Sequence, residues 1–257
     1  PIGLGATSNI FLGQVEAPLL IKPYLSSMTR HELLIIMTVG MSTIAGSVMV
    51  VYTTMLFPIY GAGLIGHFLS ASLISVPAAI MYSNIMLPSD VKTDFPDKSS
   101  NELYASVMDA ITQGTKNGLD IFLNVIAMLI VVMALVFLVN SILSLFPPLF
   151  GDPITLELLL GYLFAPLAWF MGISWEESII AGQLLGVKTA LNEFVAYLYL
   201  ADTDTYQLTD KSRLIMLYAL CGFANFSSVG ILLSGLSAMI PERLSLIHIS
   251  EPTRRLC

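Results

Sequence analysis

Residues 33–89 read LLIIMTVGMSTIAGSVMVVYTTMLFPIYGAGLIGHFLSASLISVPAAIMYSNIMLPS, with no Asp, Glu, Lys or Arg among them. Crossing a hydrocarbon layer about 30 Å thick takes about 20 mostly apolar residues. The run is too long for one span, and Pro58-Ile59-Tyr60-Gly61 divides it into Leu33–Leu56 and Ala62–Leu87. Two further spans are expected over Leu119–Leu145 and Leu214–Ile240. The composition agrees: of 257 residues, 56% are hydrophobic and 11% charged, and the mean hydropathy is +0.81. A soluble domain carries about a quarter charged residues. Soluble enzymes and disordered tails are excluded, and a net charge of −7 argues against nucleic-acid binding. Two cysteines, Cys221 and Cys257, make neither a disulfide framework nor a metal quartet. The fold class is an all-α membrane protein.

The remaining apolar pieces are shorter. Leu156–Ile173 holds Pro166 and suits an interfacial helix within 154–174, with Tyr162 and Trp169 at headgroup depth; a plain fifth span is the alternative. Pro1–Leu25 and Ser178–Leu200 each read as helix, break, helix, the pattern of elements that re-enter on the side they came from. The chain then divides into a hairpin at 1–28, two spans in 29–89 and a polar cytoplasmic loop or amphipathic segment at 90–118. A scaffold-like span follows at 119–147, a second hairpin at 175–202 and a discontinuous span at 211–241. Lys22, Arg30, Lys92, Lys98, Lys116 and Arg243 share one side, against Lys211 and Arg213 on the other, and the positive-inside rule makes the first side cytoplasmic. Pro1 interrupts an apolar pattern, as expected of a chain lacking its natural start, and 244–257 reads as a foreign tail.

Glu16 and Glu193 both lie in apolar surroundings beside a predicted break, in Gly13-Gln14-Val15-Glu16-Ala17-Pro18 and Thr189-Ala190-Leu191-Asn192-Glu193-Phe194. Each is followed by a polar loop and then a span. The two spans align without a gap: Leu33 matches Leu214, Ser47 matches Ser228 and Val48 matches Val229. Both are disrupted at the same depth, by Ser42-Thr43-Ile44-Ala45-Gly46-Ser47 and by Gly222-Phe223-Ala224-Asn225-Phe226-Ser227-Ser228. One span starts inside and the other outside, so the repeats are inverted, with two re-entrant hairpins and discontinuous helices. That is the layout of secondary transporters. A helix break in a membrane survives only where it lines a protein cavity, and it offers carbonyls to a cation and N–H groups to a polar solute. Two intramembrane carboxylates with Gln14, Asn192, Asn225 and Ser228 suit a neutral ligand rich in hydroxyls.

Plainer readings exist for each residue. Lys188 could simply pair with Glu193, and Asn225 could bridge helices. Thr43 and Ser47 could bond back to their own helix, and His67 is more often structural than a proton relay. A cation channel lined by the two glutamates is the alternative function; it leaves Asn225 and Phe223 without a role. An intramembrane enzyme finds no His-Glu-x-x-His motif and no Ser/His/Asp grouping.

The stretch Gly13-Gln14-Val15-Glu16-Ala17-Pro18-Leu19-Leu20-Ile21 resembles the first hairpin of the concentrative nucleoside transporters. Residues 188–197, KTALNEFVAY, resemble their second hairpin, residues 218–228, YALCGFANFSS, their seventh membrane helix, and Gly114–Ala127 their sixth. The resemblance runs in order through 1–244. It implies a scaffold with a moving transport domain, a homotrimer, and a central site between two hairpin tips and two unwound helices. Gln14, Glu16 and Val48 would then face the nucleobase, with Val15 beside them. Glu193, Asn225 and Ser228 would hold the ribose hydroxyls, Asn192 would flank them and Phe223 would line the pocket. A sodium ion would be held by the Asn9 and Thr43 side chains and the Leu12 and Ile44 carbonyls. Many relatives carry Thr or Ser where this chain has Val15, which leaves purine and pyrimidine preference open. The resemblance thus implies symport of nucleosides with sodium, or with protons as in some relatives, across a bacterial cytoplasmic membrane. No further cofactor and no nucleic acid is implied.

Overall fold

A computed structural model describes residues 1–89, 106–148 and 153–243; the expected foreign tail at 244–257 lies outside the described residues. Among the described residues every regular element is helical. The first hairpin is α1 (Ile2–Ser8), α2 (Glu16–Leu20) and α3 (Lys22–Leu25). The first long apolar stretch is α4 (Arg30–Ser42), α5 (Gly46–Tyr60) and α6 (Leu64–Met86). Then come α7 (Val107–Leu143), α8 (Leu156–Phe170), α9 (Trp175–Ala190), α10 (Glu193–Ala201), α11 (Asp210–Leu220) and α12 (Phe226–Met239).

Local sequence sets the boundaries. Thr29 and Glu32 form a reciprocal capping box at the start of α4: the Glu32 amide donates to Thr29 Oγ1 (3.2 Å) and the Thr29 amide to Glu32 Oε2 (2.7 Å). Ser106, Thr155 and Thr209 cap α7, α8 and α11 in the same manner, each accepting a bond from a backbone amide three residues on. The Ser106 cap starts α7 well before the expected Leu119, so the polar segment Val107–Gly118 is helical. With 37 residues, α7 is about 55 Å long. Within Arg30–Met86, which holds α4, α5 and α6, a stretch of 18 residues has a mean hydropathy of 2.1, long and apolar enough to cross a membrane. Further apolar stretches are Ile130–Leu143 at the end of α7, Leu156–Phe170 and Phe226–Ser237. The expected span Leu214–Ile240 is divided by residues 221–225 into the end of α11 and α12.

Packing brings the two broken helices together. Gly222, in the α11–α12 break, has φ of 119°, and a Cβ there would stand 2.9 Å from the Ser42 carbonyl oxygen at the end of α4. Only glycine takes that backbone conformation and that approach without strain. The main core joins α5, α6, α9, α10 and α11 around Tyr52, Phe68 and Tyr197. Tyr52 and Tyr197 have ring centroids 4.7 Å apart, Phe68 meets Tyr197 edge-on at 5.6 Å, and the Tyr197 hydroxyl donates to the Leu217 carbonyl. A second core of Ile21, Leu25, Ile36, Leu232 and Leu236 ties the first hairpin to α4 and α12. Outside these cores the molecule is unusually apolar. Ile130, Val131, Leu135, Phe137 and Leu138 on α7, and Leu73, Ile74, Met81 and Ile85 on α6, are all exposed. A protein surrounded by water rarely leaves so large an apolar surface open.

Candidate functional site

Each hairpin and each broken helix delivers a helix start to the same place. The start of α10 is capped by Asn192, whose Oδ1 accepts from the Val195 amide at 2.9 Å. The start of α12 is capped by Asn225, whose Oδ1 accepts from the Ser228 amide at 2.7 Å. The corresponding starts in the first half, α2 after Val15 and α5 after Ala45, have no side-chain cap. There the Gly46 amide instead donates to the Phe11 carbonyl of the hairpin tip at 2.9 Å. The four ends surround a cavity of about 350 Å³.

All nine residues expected to meet substrate line this cavity: Gln14, Val15, Glu16, Val48, Asn192, Glu193, Phe223, Asn225 and Ser228. Glu193 is buried and both its oxygens are engaged. The Tyr52 hydroxyl donates to Oε1 at 3.0 Å and Asn225 Nδ2 donates to Oε2 at 2.7 Å. A carboxylate has further lone pairs, so two such bonds orient it without filling it. Gln14 is buried, donates from Nε2 to the Ser228 carbonyl at 3.3 Å, and keeps its buried Oε1 without a partner. That bond ties the first hairpin to the second broken helix directly.

One expectation needs correction, and one plainer reading does not hold. Glu16 is exposed rather than buried: its carboxyl folds back over Gly13 at the cavity wall, in the space a Cβ on Gly13 would take. Lys188 makes no direct ion pair with Glu193. It is buried, and its Nζ donates to the Ala219 carbonyl at 2.9 Å, because the free carbonyls in the last turn of α11 are nearer partners. Two plainer readings hold in part. Thr43 Oγ1 does bond back to the Val39 carbonyl at 3.1 Å, and His67 Nδ1 lies 3.0 Å from the Tyr218 hydroxyl, away from the cavity.

The residues expected to hold sodium sit beside the cavity rather than on its wall. Asn9 ends α1 and Thr43 ends α4, and both are buried, as is Ile44, while Leu12 is half-buried. Asn9 Nδ2 donates to the Gly5 carbonyl at 2.8 Å, and Asn9 Oδ1 is a buried acceptor with no donor. An orphaned buried oxygen costs about 1–3 kcal/mol, so a donor set of this kind fits a cation.

Sequence reasoning missed Tyr52 and Ser227. Tyr52 stands four residues after Val48 on α5, so the helical repeat puts both on one face, a spacing that could have found it. Ser227 lines the cavity, is buried, and its hydroxyl has no partner. It was hidden beside Ser228, which the internal repeat singled out.

Known proteins resemble this chain in sequence and in fold. A family model described as "Na+ dependent nucleoside transporter C-terminus" matches residues 67–250. An uncharacterized transporter of Haemophilus influenzae is 41% identical, over 94% of this chain and 58% of its own length. The nucleoside permease NupC of Helicobacter pylori is 37% identical, over 95% of this chain and 58% of its own. The structure of CNTnw in an inward-facing substrate-bound state superposes with a TM-score of 0.76 at 36% identity, covering 95% of this chain and 57% of that one. The chain thus spans a little over half the length of these relatives. With a family model covering most of the chain and solved structures sharing its helices, the chain belongs to the concentrative nucleoside transporter family, a family of membrane transporters and not of enzymes.

Proposed function

We propose that the protein is a secondary active symporter that moves nucleosides inward across a bacterial cytoplasmic membrane with sodium. The single observation that carries this reading is the meeting of both hairpin tips and both helix breaks around one cavity of about 350 Å³, lined by Glu16, Glu193, Gln14 and Asn225. Such a chamber is in the range of small-ligand sites and mixes apolar walls with a few fixed polar groups. In this reading the two halves are inverted repeats, the hairpins are re-entrant, and α4–α5 and α11–α12 are discontinuous membrane helices. The apolar faces of α6 and α7 meet lipid, and three protomers assemble.

The roles follow from the donors available. Glu193 accepts hydrogen bonds from the ribose hydroxyls, held in place by Tyr52 and Asn225, while the Ser228 hydroxyl adds a donor. Gln14 presents an amide and Glu16 a carboxylate to the base edge, against Val15 and Val48, and Phe223 closes the pocket. Sodium enters as a co-substrate at Asn9 Oδ1, Thr43 and the Leu12 and Ile44 carbonyls, an all-oxygen set of the kind hard cations take. Because the Phe11 carbonyl and the Gly46 amide join that region to the tip carrying Gln14 and Glu16, an ion there orders the base-binding side of the cavity. Ion and nucleoside then strengthen each other's binding by the same factor.

Uptake of labelled uridine and adenosine into proteoliposomes, with and without an inward sodium gradient, tests the proposal. Accumulation that requires the gradient is expected. Absence of gradient-driven uptake of either, or ion conductance without solute uptake, would reject it.

A further inference from the structure

The two halves treat one position in opposite ways. Five residues ahead of each glutamate stand Phe11 and Lys188. Each joins the first limb of its hairpin to the broken helix of its own half. In the first half the Phe11 carbonyl accepts from Gly46. In the second, the Lys188 ammonium donates to Ala219, one residue short of the end of α11. Two residues before Phe11 stands Asn9, with its unpartnered buried oxygen, and three before Gly46 stands the buried Thr43. Aligning the glutamates places Gly186 opposite Asn9, and the gap-free alignment of the spans places Ala224 opposite Thr43. The second half therefore lacks both side-chain oxygens, and it has a cation of its own, only 7% exposed.

A buried ammonium persists only where electron-rich groups surround it. The Ala219 carbonyl has no intrahelical donor and lies at the negative end of the α11 dipole. Glu193 stands five residues further on, at the start of α10, and makes no direct ion pair with Lys188. Carbonyls at a helix break together with a nearby carboxylate are also what a small free cation would seek.

We propose that Lys188 is a tethered stand-in for a coupling ion. In the second half its ammonium supplies the positive charge that sodium supplies in the first, offsetting Glu193 and fastening the α9 limb to α11 without a second ion. Lys188 touches no substrate; it is a positioning residue, and the inference rests on the sodium-coupled reading above. Its consequence is specific: a protein without the amine has a vacancy that dissolved sodium can fill.

The test compares melting temperatures of the purified protein in sodium and in choline, with uridine binding measured in parallel. Lys188→Ala is expected to melt lower than wild type in choline and to gain at least about 3 °C more than wild type when sodium replaces choline. Lys188→Arg is expected to keep the wild-type response. In Lys188→Ala/Glu193→Gln the extra sodium gain is expected to vanish. An unchanged sodium response in Lys188→Ala, or an extra gain that persists in the double variant, overturns the inference. If Lys188→Ala alone does not fold, folding of the double variant supports the charge-offset role and its failure refutes it. Wild type that binds no uridine in sodium would defeat the transport reading instead, and the melting arm decides the Lys188 question without any nucleoside.

Discussion

At the scale of single residues, Glu193 concentrates the polar chemistry of the cavity. Its two protein partners approach from different elements, Tyr52 from α5 and Asn225 from the second break, so its direction is fixed before any ligand arrives. Replacing it with Gln keeps the shape but turns one of its two acceptor oxygens into a donor that faces the donor already there. Nucleoside binding should weaken by about 1.5–3 kcal/mol, roughly tenfold to a hundredfold, in an equilibrium assay. Met133→Leu, on the exposed side of α7, should leave it unchanged. Tyr52→Phe removes one oriented bond from a buried carboxylate and should cost about 1 kcal/mol, close to fivefold in affinity. Wild-type affinity for that variant would show that Tyr52 does not orient the site. The motif around Glu193 made the acid visible in the sequence. Tyr52 was less visible: it shares a helical face with Val48, but its partner lies 141 positions away and only packing brings the two together.

At the scale of elements, α9 is held by α8 and by the start of α11. Gly182 and Gly186 stand four residues apart and face α8, where a Cβ on Gly182 would run into the Gly161 carbonyl oxygen. Small residues at that spacing let helix backbones approach closely in apolar surroundings. Gly182→Val should force the pair apart and destabilise by about 1–3 kcal/mol, read as a lowered melting temperature. At the polar first turn of α9, outside the apolar segment, Glu177 accepts bonds from the Thr209 amide (2.7 Å), the Thr209 hydroxyl and the Ser212 hydroxyl, bracing the start of α11. Burial works to raise its carboxyl, but the bonds from Ser212 and Thr209 outweigh it and hold the group below its ordinary range. A depressed folded-state value means stabilisation that is present above the unfolded value, about 4.3, and is lost as pH falls through the folded one. The melting difference between wild type and Glu177→Gln should therefore be fullest at neutral pH and disappear in acid. Breaks at 43–45 and 221–225 were legible from small and polar residues inside apolar runs. The early start of α7 was not, because a polar helix and a polar loop have much the same composition and only the Ser106 cap separates them.

At the scale of the whole molecule, the apolar exterior and the polar cavity divide the chain between two surroundings. Ile130, on α7, is exposed among apolar neighbours. Ile130→Arg should lower the membrane-inserted fraction, since an arginine near mid-membrane costs about 2.5–3.5 kcal/mol on insertion scales. Fractionation after carbonate extraction would read that loss, and full retention would place this face elsewhere than in lipid. Composition alone revealed the overall setting. The convergence of four helix ends was readable because the order of glutamate, loop and broken span occurs twice. The difference between the halves was less open to reading: Asn192 and Asn225 cap their own helices, whereas α2 and α5 start without such help.

The contact at Gly222 sets a limit on how those halves can shift. Main chain rests on main chain there, and no rotamer can swing aside to absorb strain. A joint of that kind has no play. Displacing either broken helix must carry the other along or separate them outright, so intermediate degrees of bending are closed to the pair. A bulky probe attached at that crossing would jam it, while probes at the outer ends of α4 and α11 would report the same travel undisturbed.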